Sequence, residues 1–423
     1  MRFSDTLAAA ALAVGATAQN NYLGFNTGST KDDYSAKVKA DFLAEFTTAQ
    51  KLVGAPGTFN SVRLYTNIQA GTKDDPISAF EAAIETKTSI LLGVWCSGTS
   101  SIDSELSALK KAVSQYGKKF TDLVIGISIG SEDLYRNSVT GVTNGAGIGT
   151  QPDVLLGFIN QYKKAVADTE LASVPVGHVD TWDVWPNATN KAVLDAIDWV
   201  GVDEYPYYES GKGNTIKNAP ALFDRAYDAT VAAVGGKPVW VTETGWPTTG
   251  PNWDEAVPSV ENAKYYWDNI GCRKLFNKVP TFWYNLRDSN PDNKMKFAIT
   301  NNLSTKPYFD LTCPTTFDYN PSSTSSSSSA SGTGSGSSTS KSGSSTTLTT
   351  STTAPTGSGS SSGTSSGSGS GSSSGSGSGS GSGSSTNSAA PASKTSGASA
   401  RQNSVVAAVC AAVGVVVGAA ALL

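Results

Sequence analysis

Two runs of the sequence each carry a carboxylate at the end of an apolar, β-rich segment. Val239 to Thr242 leads into Glu243, followed at once by Thr244, Gly245, Trp246 and Pro247. Glycine and proline interrupt regular structure, so a strand stops here and a loop begins. The other run, Leu123 to Gly130, leads into Ser131, Glu132 and Asp133, with Glu132 lying 111 positions before Glu243. A single strand-end glutamate is most often one half of a surface ion pair, worth little. Two from different strands can act together on one bond. Glycosidic hydrolysis needs such a pair: one protonated carboxyl assists the departing oxygen, and one ionised carboxylate attacks the sugar carbon or activates water. The ionised member raises the proton affinity of its neighbour, so the two jobs separate by themselves. Trp246 supplies a flat indole beside Glu243 on which a sugar ring can stack.

Other titratable residues fit this chemistry less well. Asp203 and Glu204 are adjacent, and strand alternation sends them to opposite faces, so only one can enter a cleft. Glu204 reads as structural or binding. Asp180 and Asp183, near Trp182 and Trp185, suit either sugar binding or loop capping. His178 is the only histidine. It precedes a strand end, no Gly-x-Ser-x-Gly elbow exists to pair with it, and it is expected to pack in the interior. One histidine without paired cysteine spacing argues against a metal centre, and no cofactor is expected. The formal net charge of −4 argues against a nucleic-acid partner. All nine tryptophans fall between Trp95 and Trp283, a density that suits an aromatic-lined cleft as well as a core.

The elements that must hold the two glutamates alternate along the chain. Strands are expected at Tyr22 to Gly28, Ser61 to Tyr65, Ser89 to Cys96, Leu123 to Glu132, Val174 to Thr181, Ile197 to Tyr205, Pro238 to Glu243 and Pro280 to Asn285. Helical spacing fills the intervals: Val38, Phe42 and Phe46 within Asp32 to Leu52; Ile77, Phe80 and Ile84; Leu106, Leu109, Val113 and Tyr116; Val154, Phe158 and Tyr162; a short stretch from Asn190 to Ile197; Leu222, Ala226 and Tyr227; then Val260, Tyr266, Trp267 and Ile270, ending near Gly271. A Gly-rich loop runs from Thr140 to Gly149. Eight alternations in about 290 residues indicate a (β/α)8 TIM barrel rather than an open sheet. In the fourth strand Ile125, Ile127 and Ile129 share one face, assigned to the helices. Gly126, Ser128, Gly130 and Glu132 share the other, assigned to the barrel interior. Both glutamates then reach the C-terminal face, where barrel enzymes carry their catalytic groups.

At these residues the sequence resembles glycoside hydrolase family seventeen, the β-1,3-glucanases, and within it the lipid-anchored fungal endo-β-1,3-glucosidases of the cell wall. The resemblance spans residues 20–313. It is carried by Val62-Arg63-Leu64-Tyr65, Gly130-Ser131-Glu132, Asp203-Glu204-Tyr205-Pro206-Tyr207, Thr242-Glu243-Thr244-Gly245-Trp246-Pro247, and Phe297-Ala298-Ile299 before Lys306-Pro307. It implies a retaining mechanism on β-1,3-glucan, with Glu243 as nucleophile and Glu132 as acid/base. Arg63, Tyr65, Ser131, Tyr205 and Trp246 would bind substrate or support the site. Ser131 stands where the family usually has asparagine. The eighth strand, which usually ends in acidic residues, reads Asn285-Leu286-Arg287-Asp288. Two other activities are compatible with the same residues: a β-1,3-glucanosyltransferase, which passes the glycosyl group to another glucan, and a non-catalytic wall-anchoring module.

The chain ends have different compositions. Met1-Arg2, an apolar run from Leu7 to Ala16 and Ala16-Thr17-Ala18 read as a secretory leader over 1–18, with a mature start at Gln19. The barrel occupies 19–313. Residues 314–395 are a Ser/Thr/Gly-rich linker that cannot bury a core and reads as a glycosylated stalk. Small residues near Ser396 and Gly397, a polar spacer and an apolar tail from Val405 to Leu423 read as a signal for a glycolipid (GPI) anchor, with 396–423 removed. The expected protein is then a monomer on the outer face of the plasma membrane and in the wall. Secretion permits disulfides. Cys272 ends a helical stretch and Cys313 closes the folded region, so these two are paired, and Cys96 is left as a buried thiol. Asn187 and Asn302 head glycosylation sequons.

Overall fold

The computed structural model describes residues 21–319 and 321. The leader at 1–18, the linker beyond Pro321 and the 396–423 segment with Ser396 and Gly397 lie outside the described residues. Eight parallel strands form a closed barrel in chain order. They are β1 (Leu23–Thr27), β2 (Ser61–Leu64), β3 (Ser89–Val94), β4 (Val124–Ser131), β5 (Val176–Thr181), β6 (Trp199–Asp203), β7 (Val239–Glu243) and β8 (Thr281–Trp283). Leu23 pairs with Thr281, which closes β8 onto β1. The expected (β/α)8 architecture is the observed one, with each strand within two residues of its expected ends.

The helices depart from the sequence pattern in several places, among them Ile77, which precedes the helix Ala79–Thr86. The first begins at Lys39 rather than Asp32. Val38 stands outside it, 56 % exposed, and its amide is held by the Asp41 carboxylate at 2.9 Å. In Pro152–Val166 the buried face carries Leu155, Phe158, Ile159 and Tyr162, while Val154 is exposed. The last helix does not stop at Gly271. It runs from Val260 to Tyr266 and continues as a π-helical stretch to Leu275. Gly271 is there for a close approach: a Cβ would lie 2.4 Å from the Phe276 ring.

Two apolar layers hold the barrel. Alternate strand residues such as Val62, Leu64, Ile90, Leu92, Ile127 and Ile129 pack outward against the helices. Inside lies a smaller cluster of Leu91, Val179, Trp199, Trp240 and Phe282, with the Trp199 and Trp240 rings stacked at 4.4 Å. Ile125 packs on this inner cluster, against the expectation that it faces the helices. The cause is a register shift: Ile90 pairs with Val124 but Leu91 pairs with Gly126, so Ile125 is bulged out of the alternation.

Cys272 and Cys313 form a disulfide, and Cys96 is buried and unpaired, as expected. The bridge ties the π-helical segment to the chain's return across it, where the Trp267 indole N–H also donates to the Leu311 carbonyl at 3.1 Å. Asn187 and Asn302 are both exposed.

Candidate active site

Glu243 ends β7 and is almost fully buried, 1 % exposed. Val202 pairs with Val241, but Asp203 pairs with Glu243, so Thr242 is the extra residue. Its hydroxyl donates to Asp203 Oδ1 at 2.6 Å. This bulge lets Asp203, Thr242 and Glu243 all serve the interior. Glu243 Oε1 accepts from Arg63 Nη1 and from the Tyr65 hydroxyl, each at 2.6 Å, and Oε2 accepts from the Tyr205 hydroxyl at 2.7 Å. Both oxygens act only as acceptors, the pattern of an ionised carboxylate.

Arg63, from β2, organises the floor beneath this carboxylate. It donates to Asn26 Oδ1 at 3.0 Å and to Ser131 Oγ at 2.9 Å, and stands 3.9 Å from Asp203. Burial opposes its charge, but Asp203 and Glu243 outweigh burial and raise its pKa. Asp203 is pushed well above the usual carboxylate range, first by burial and then by Glu243, with Arg63 opposing. Of the expected residues, Arg63, Tyr65 and Tyr205 therefore converge on Glu243, and Ser131, next to Glu132 in the chain, joins them through Arg63.

Glu132 reaches the site by backbone conformation rather than strand parity. β4 ends at Ser131, and its register against β5 shifts between Ser128 and Ser131. Gly130 has φ +87°, and Glu132 itself has φ 57°. A Cβ at Gly130 would sit 2.2 Å from Asp133 Oδ2, so glycine is required there on two counts. A left-handed glutamate is uncommon, and such strain concentrates at functional sites. Glu132 Oε2 accepts from Arg136 Nη2 at 2.9 Å, while Oε1 is buried without a hydrogen-bond partner. Burial is the main cause that lifts its pKa to about 7; Arg136 opposes, and Glu243 and Asp180 add to the rise.

Several residues that support this turn were not foreseen in that role. Asp133 accepts from the Ser131 amide at 2.8 Å, the Ser97 hydroxyl at 2.7 Å and the Thr150 hydroxyl at 3.0 Å. Asp180 accepts from the Leu134 amide at 2.9 Å, the Tyr135 amide at 3.2 Å and the Thr181 amide at 2.9 Å. His178 is fully buried, bridging the Ile129 carbonyl at 2.7 Å and Asp180 at 2.9 Å. Burial lowers its pKa, but Asp180 and Asp133 reverse this and raise it. Asp180 and His178 thus brace the segment after Glu132, and Asp180 is a cap rather than a sugar ligand. The Asp180 bonds to Leu134 and Tyr135 join residues 46 and 45 positions apart, so no local sequence pattern marks this cap.

Trp246 does not present a face to the cleft. It is 2 % exposed, its indole N–H donates to the Val257 carbonyl at 3.0 Å, and its ring meets Tyr207 edge-on at 5.1 Å. The loop after Glu243 folds inward, and a tryptophan with a satisfied N–H can be wholly buried. Glu204 lies on the opposite side from Asp203, buried, and is pushed well above the usual range by burial and by Glu209 beside it. Asp288 accepts from the Phe297 and Ala298 amides at 3.0 and 3.1 Å. Arg287 pairs with Glu45 at 2.5 Å. Both residues lie beyond the end of β8, Asp288 holding the loop at Phe297 and Arg287 holding the first helix. Next to Tyr65 opens a cavity of about 450 Å³, lined among others by Thr66, Trp95, Ser97 and Glu105. Trp95 offers it the half-exposed aromatic wall that Trp246 does not.

Residues 24–301 match the family described as the BtgE/BtgC glycoside hydrolase domain. A protein of Aspergillus fumigatus named probable glucan endo-1,3-beta-glucosidase eglC is 51 % identical over 315 residues, covering 74 % of this chain and 70 % of that protein. Glucan 1,3-beta-glucosidase of Saccharomyces cerevisiae is 32 % identical over 289 residues, covering 64 % of this chain and 84 % of that one. Among solved structures, the glycoside hydrolase family 17 beta-1,3-glucanosyltransferase of Rhizomucor miehei is 25 % identical, with a TM-score of 0.54 over 68 % of this chain and 98 % of that one. With two buried carboxylates at the C-terminal mouth of a closed barrel, and with this match over most of the folded region, the chain belongs to the BtgE/BtgC glycoside hydrolases.

Proposed function

We propose that the chain is a retaining endo-β-1,3-glucanase in which Glu243 is the nucleophile and Glu132 the acid/base. The observation that carries the assignment is the asymmetry between the two carboxylates. Glu243 is ringed by three donors, while Glu132 has a free buried oxygen and a pKa lifted to about 7. In the first step a Glu243 oxygen bonds to the anomeric carbon, the glycosidic C–O bond breaks, and Glu132 gives its proton to the leaving oxygen. In the second, water attacks the same carbon, Glu132 takes its proton, and Glu243 leaves as carboxylate. The test is azide rescue. Glu243→Ala should be inert but yield a glycosyl azide of inverted configuration. Glu132→Ala should still form the covalent intermediate from a substrate with a good leaving group, and azide should release a product of retained configuration. The opposite pairing exchanges the roles, and near-normal activity in either variant removes the pair from the mechanism.

Transfer to another glucan in place of water is the second reading, favoured by the similarity to the Rhizomucor miehei glucanosyltransferase. Laminari-oligosaccharides incubated with the enzyme would give products longer than the substrate. Binding without release of reducing ends would instead point to a wall-anchoring module. The terminal segments extend the proposal to place and processing. The 1–18 leader, the 314–395 stalk and the 396–423 signal support a wall-facing protein attached through a glycolipid at Ser396 or Gly397. Exposed Asn187 and Asn302 support N-glycosylation. Phospholipase treatment that frees nothing from membranes, with an intact Val405 to Leu423 peptide, would overturn the anchor.

A further inference from the structure

One buried cation near the site has no part in the reaction as written above. Arg136 is 3 % exposed and closes the single helical turn Asp133–Arg136 that begins directly after Glu132. Its Nη2 donates to Glu132 Oε2 at 2.9 Å, and its Nη1 donates to Ser97 Oγ at 3.0 Å. Its guanidinium carbon lies 5.3 Å from the centre of the Trp95 ring. Ser97 in turn donates to Asp133, and the Trp95 indole N–H donates to the Ser97 carbonyl at 2.9 Å. The guanidinium is fixed from three sides through its two terminal nitrogens and the Trp95 ring, while Nε is buried without a hydrogen-bond partner.

That placement would be self-defeating if Glu132 had only to be an acid, because a cation favours the ionised form. Two other groups facing Glu132 act the opposite way as anions, Glu243 from β7 and Asp180 from β5. Asp203 from β6 and Tyr208 from the turn after it also face Glu132, but burial favours the neutral form of each. With Glu243 ionised, the anions and burial hold the proton. When Glu243 becomes an ester its charge vanishes and the balance tips toward Arg136, which does not change. The same carboxyl must then be ionised to take a proton from the incoming acceptor.

We propose that Arg136 is the positioning residue of Glu132: it occupies Oε2 so that the mobile proton resides on Oε1, and its fixed charge draws that proton off once Glu243 is esterified. This rests on the assignment of Glu132 as acid/base. It makes the residue four places after the acid/base, not a direct contact with sugar, the fixed charge against which the loss of the Glu243 charge acts between the two steps.

Arg136→Met and Arg136→Lys test it, using a laminari-oligosaccharide and an aryl β-glucoside of the same glucan with a good leaving group. In the Met variant the alkaline limb of kcat/KM on the oligosaccharide should move up by about one pH unit or more, because the acid stays protonated longer. On the aryl substrate the acid limb of kcat should move up too, with a pre-steady-state burst as the covalent intermediate waits for an ionised base. Lys, which keeps the charge, should show both shifts to a lesser degree. A role confined to folding would lower all rates without moving either limb, and that result overturns the proposal. Should the Met variant not fold, the Lys variant decides: with the intermediate trapped by a 2-deoxy-2-fluoro glycoside, Glu132 followed by infrared or carbon NMR should titrate higher in Arg136→Lys than in the trapped wild type. The same Glu132 titration in the trapped Lys variant and the trapped wild type would equally overturn it. Absence of any covalent adduct on Glu243 would instead defeat the assignment of the two glutamates.

Discussion

At the scale of the residue, three hydroxyl or guanidinium donors share one carboxylate, and they are separable. Tyr205 donates to Glu243 Oε2, while Arg63 and Tyr65 both use Oε1. Tyr205→Phe therefore removes a hydrogen bond from Oε2 and leaves the two on Oε1 in place. A hydrogen bond to a charged group contributes about 1.5–3 kcal/mol, so kcat/KM should fall about 10- to 100-fold with the fold intact. Steady-state kinetics beside a thermal melt would check this, and an unchanged kcat/KM would remove Tyr205 from the reacting carboxylate. Trp246→Ala should behave in the reverse manner. Its ring lies between Tyr207 and Tyr266, so the loss should be about 3–5 kcal/mol of stability. A selective rise in KM without loss of stability would restore the stacking role expected from the sequence. The mistake is instructive in physical terms. A tryptophan beside a strand-end glutamate looks the same in sequence whether its loop turns outward or inward. The direction is set by distant residues such as Val257 and Tyr266, which no local pattern names. Arg63, Tyr65 and Tyr205 were legible through the family resemblance, and the barrel brings them together because each lies at or just beyond the C-terminal end of a strand.

At the scale of the element, β4 shows where period-two reasoning holds and where it breaks. The alternation correctly put Ile127 and Ile129 on the helices and Gly126 on the Trp240 side. It failed at Ile125, which is bulged, and it reached Glu132 for the wrong reason. The strand has ended before Glu132, and two positive φ angles aim it into the mouth. A bulge depends on the partner strand's length and register, which the β4 sequence does not contain. The structure gives Gly130 a decisive place in the site. Gly130→Ala would drive a methyl into Asp133 and force φ +87° on an L-residue. We expect a loss of activity well beyond the loss of stability, since Glu132 would swing away while the barrel core stays untouched. Activity close to wild type in that variant would show that Glu132 reaches the mouth by another backbone path. The Cys272–Cys313 bridge closes a loop with a sequence separation of 41. On loop-entropy grounds its removal by the double Ala variant should cost ~4 kcal/mol. Chemical denaturation would measure it, and a change under ~1 kcal/mol would mean the strap holds by packing alone.

At the scale of the whole molecule, the interior is unusually dense in acids that favour their protonated form. Eight apolar alternations were enough to read a closed barrel from the sequence, because each strand has to be covered by a helix and the count leaves little else. What the pattern could not supply was the electrostatics of the mouth, which depends on distances between strands far apart in the chain. Glu105 reaches from the third helix to the loop after β2, accepting from the Thr66 hydroxyl and from the Asn67 amide at 2.8 Å. Burial is the main cause that lifts it to about 7, with those hydrogen bonds opposing. Glu132 is lifted to about 7 as well, and Asp203 and Glu204 are pushed up in the same direction by burial. A carboxyl whose folded pKa exceeds its unfolded value binds more protons in the native state between the two. Its stabilising contribution is complete below the unfolded value and is lost as pH rises through the folded one. His178, raised by Asp180 despite burial, has the same sign: its contribution is complete below the unfolded imidazole value and is lost on alkaline titration. The carboxylates shifted the other way, Asp33, Asp74 and Asp310, lie near the surface, where solvent screens their pairing. The native state should therefore be most stable near the unfolded carboxyl range and weaken steadily toward neutral pH. Each raised group contributes a slope of roughly 1.4 kcal/mol per pH unit while it titrates. Urea denaturation between pH 4.5 and 8 would measure the decline, and Glu105→Gln should flatten it between about 4.5 and 7 by one such slope, because an amide has no proton to lose. Stability that rises with pH over this interval would mean that the buried acids are ionised in the native state and paired by cations, contrary to the arrangement around Glu105, Asp203 and Glu204.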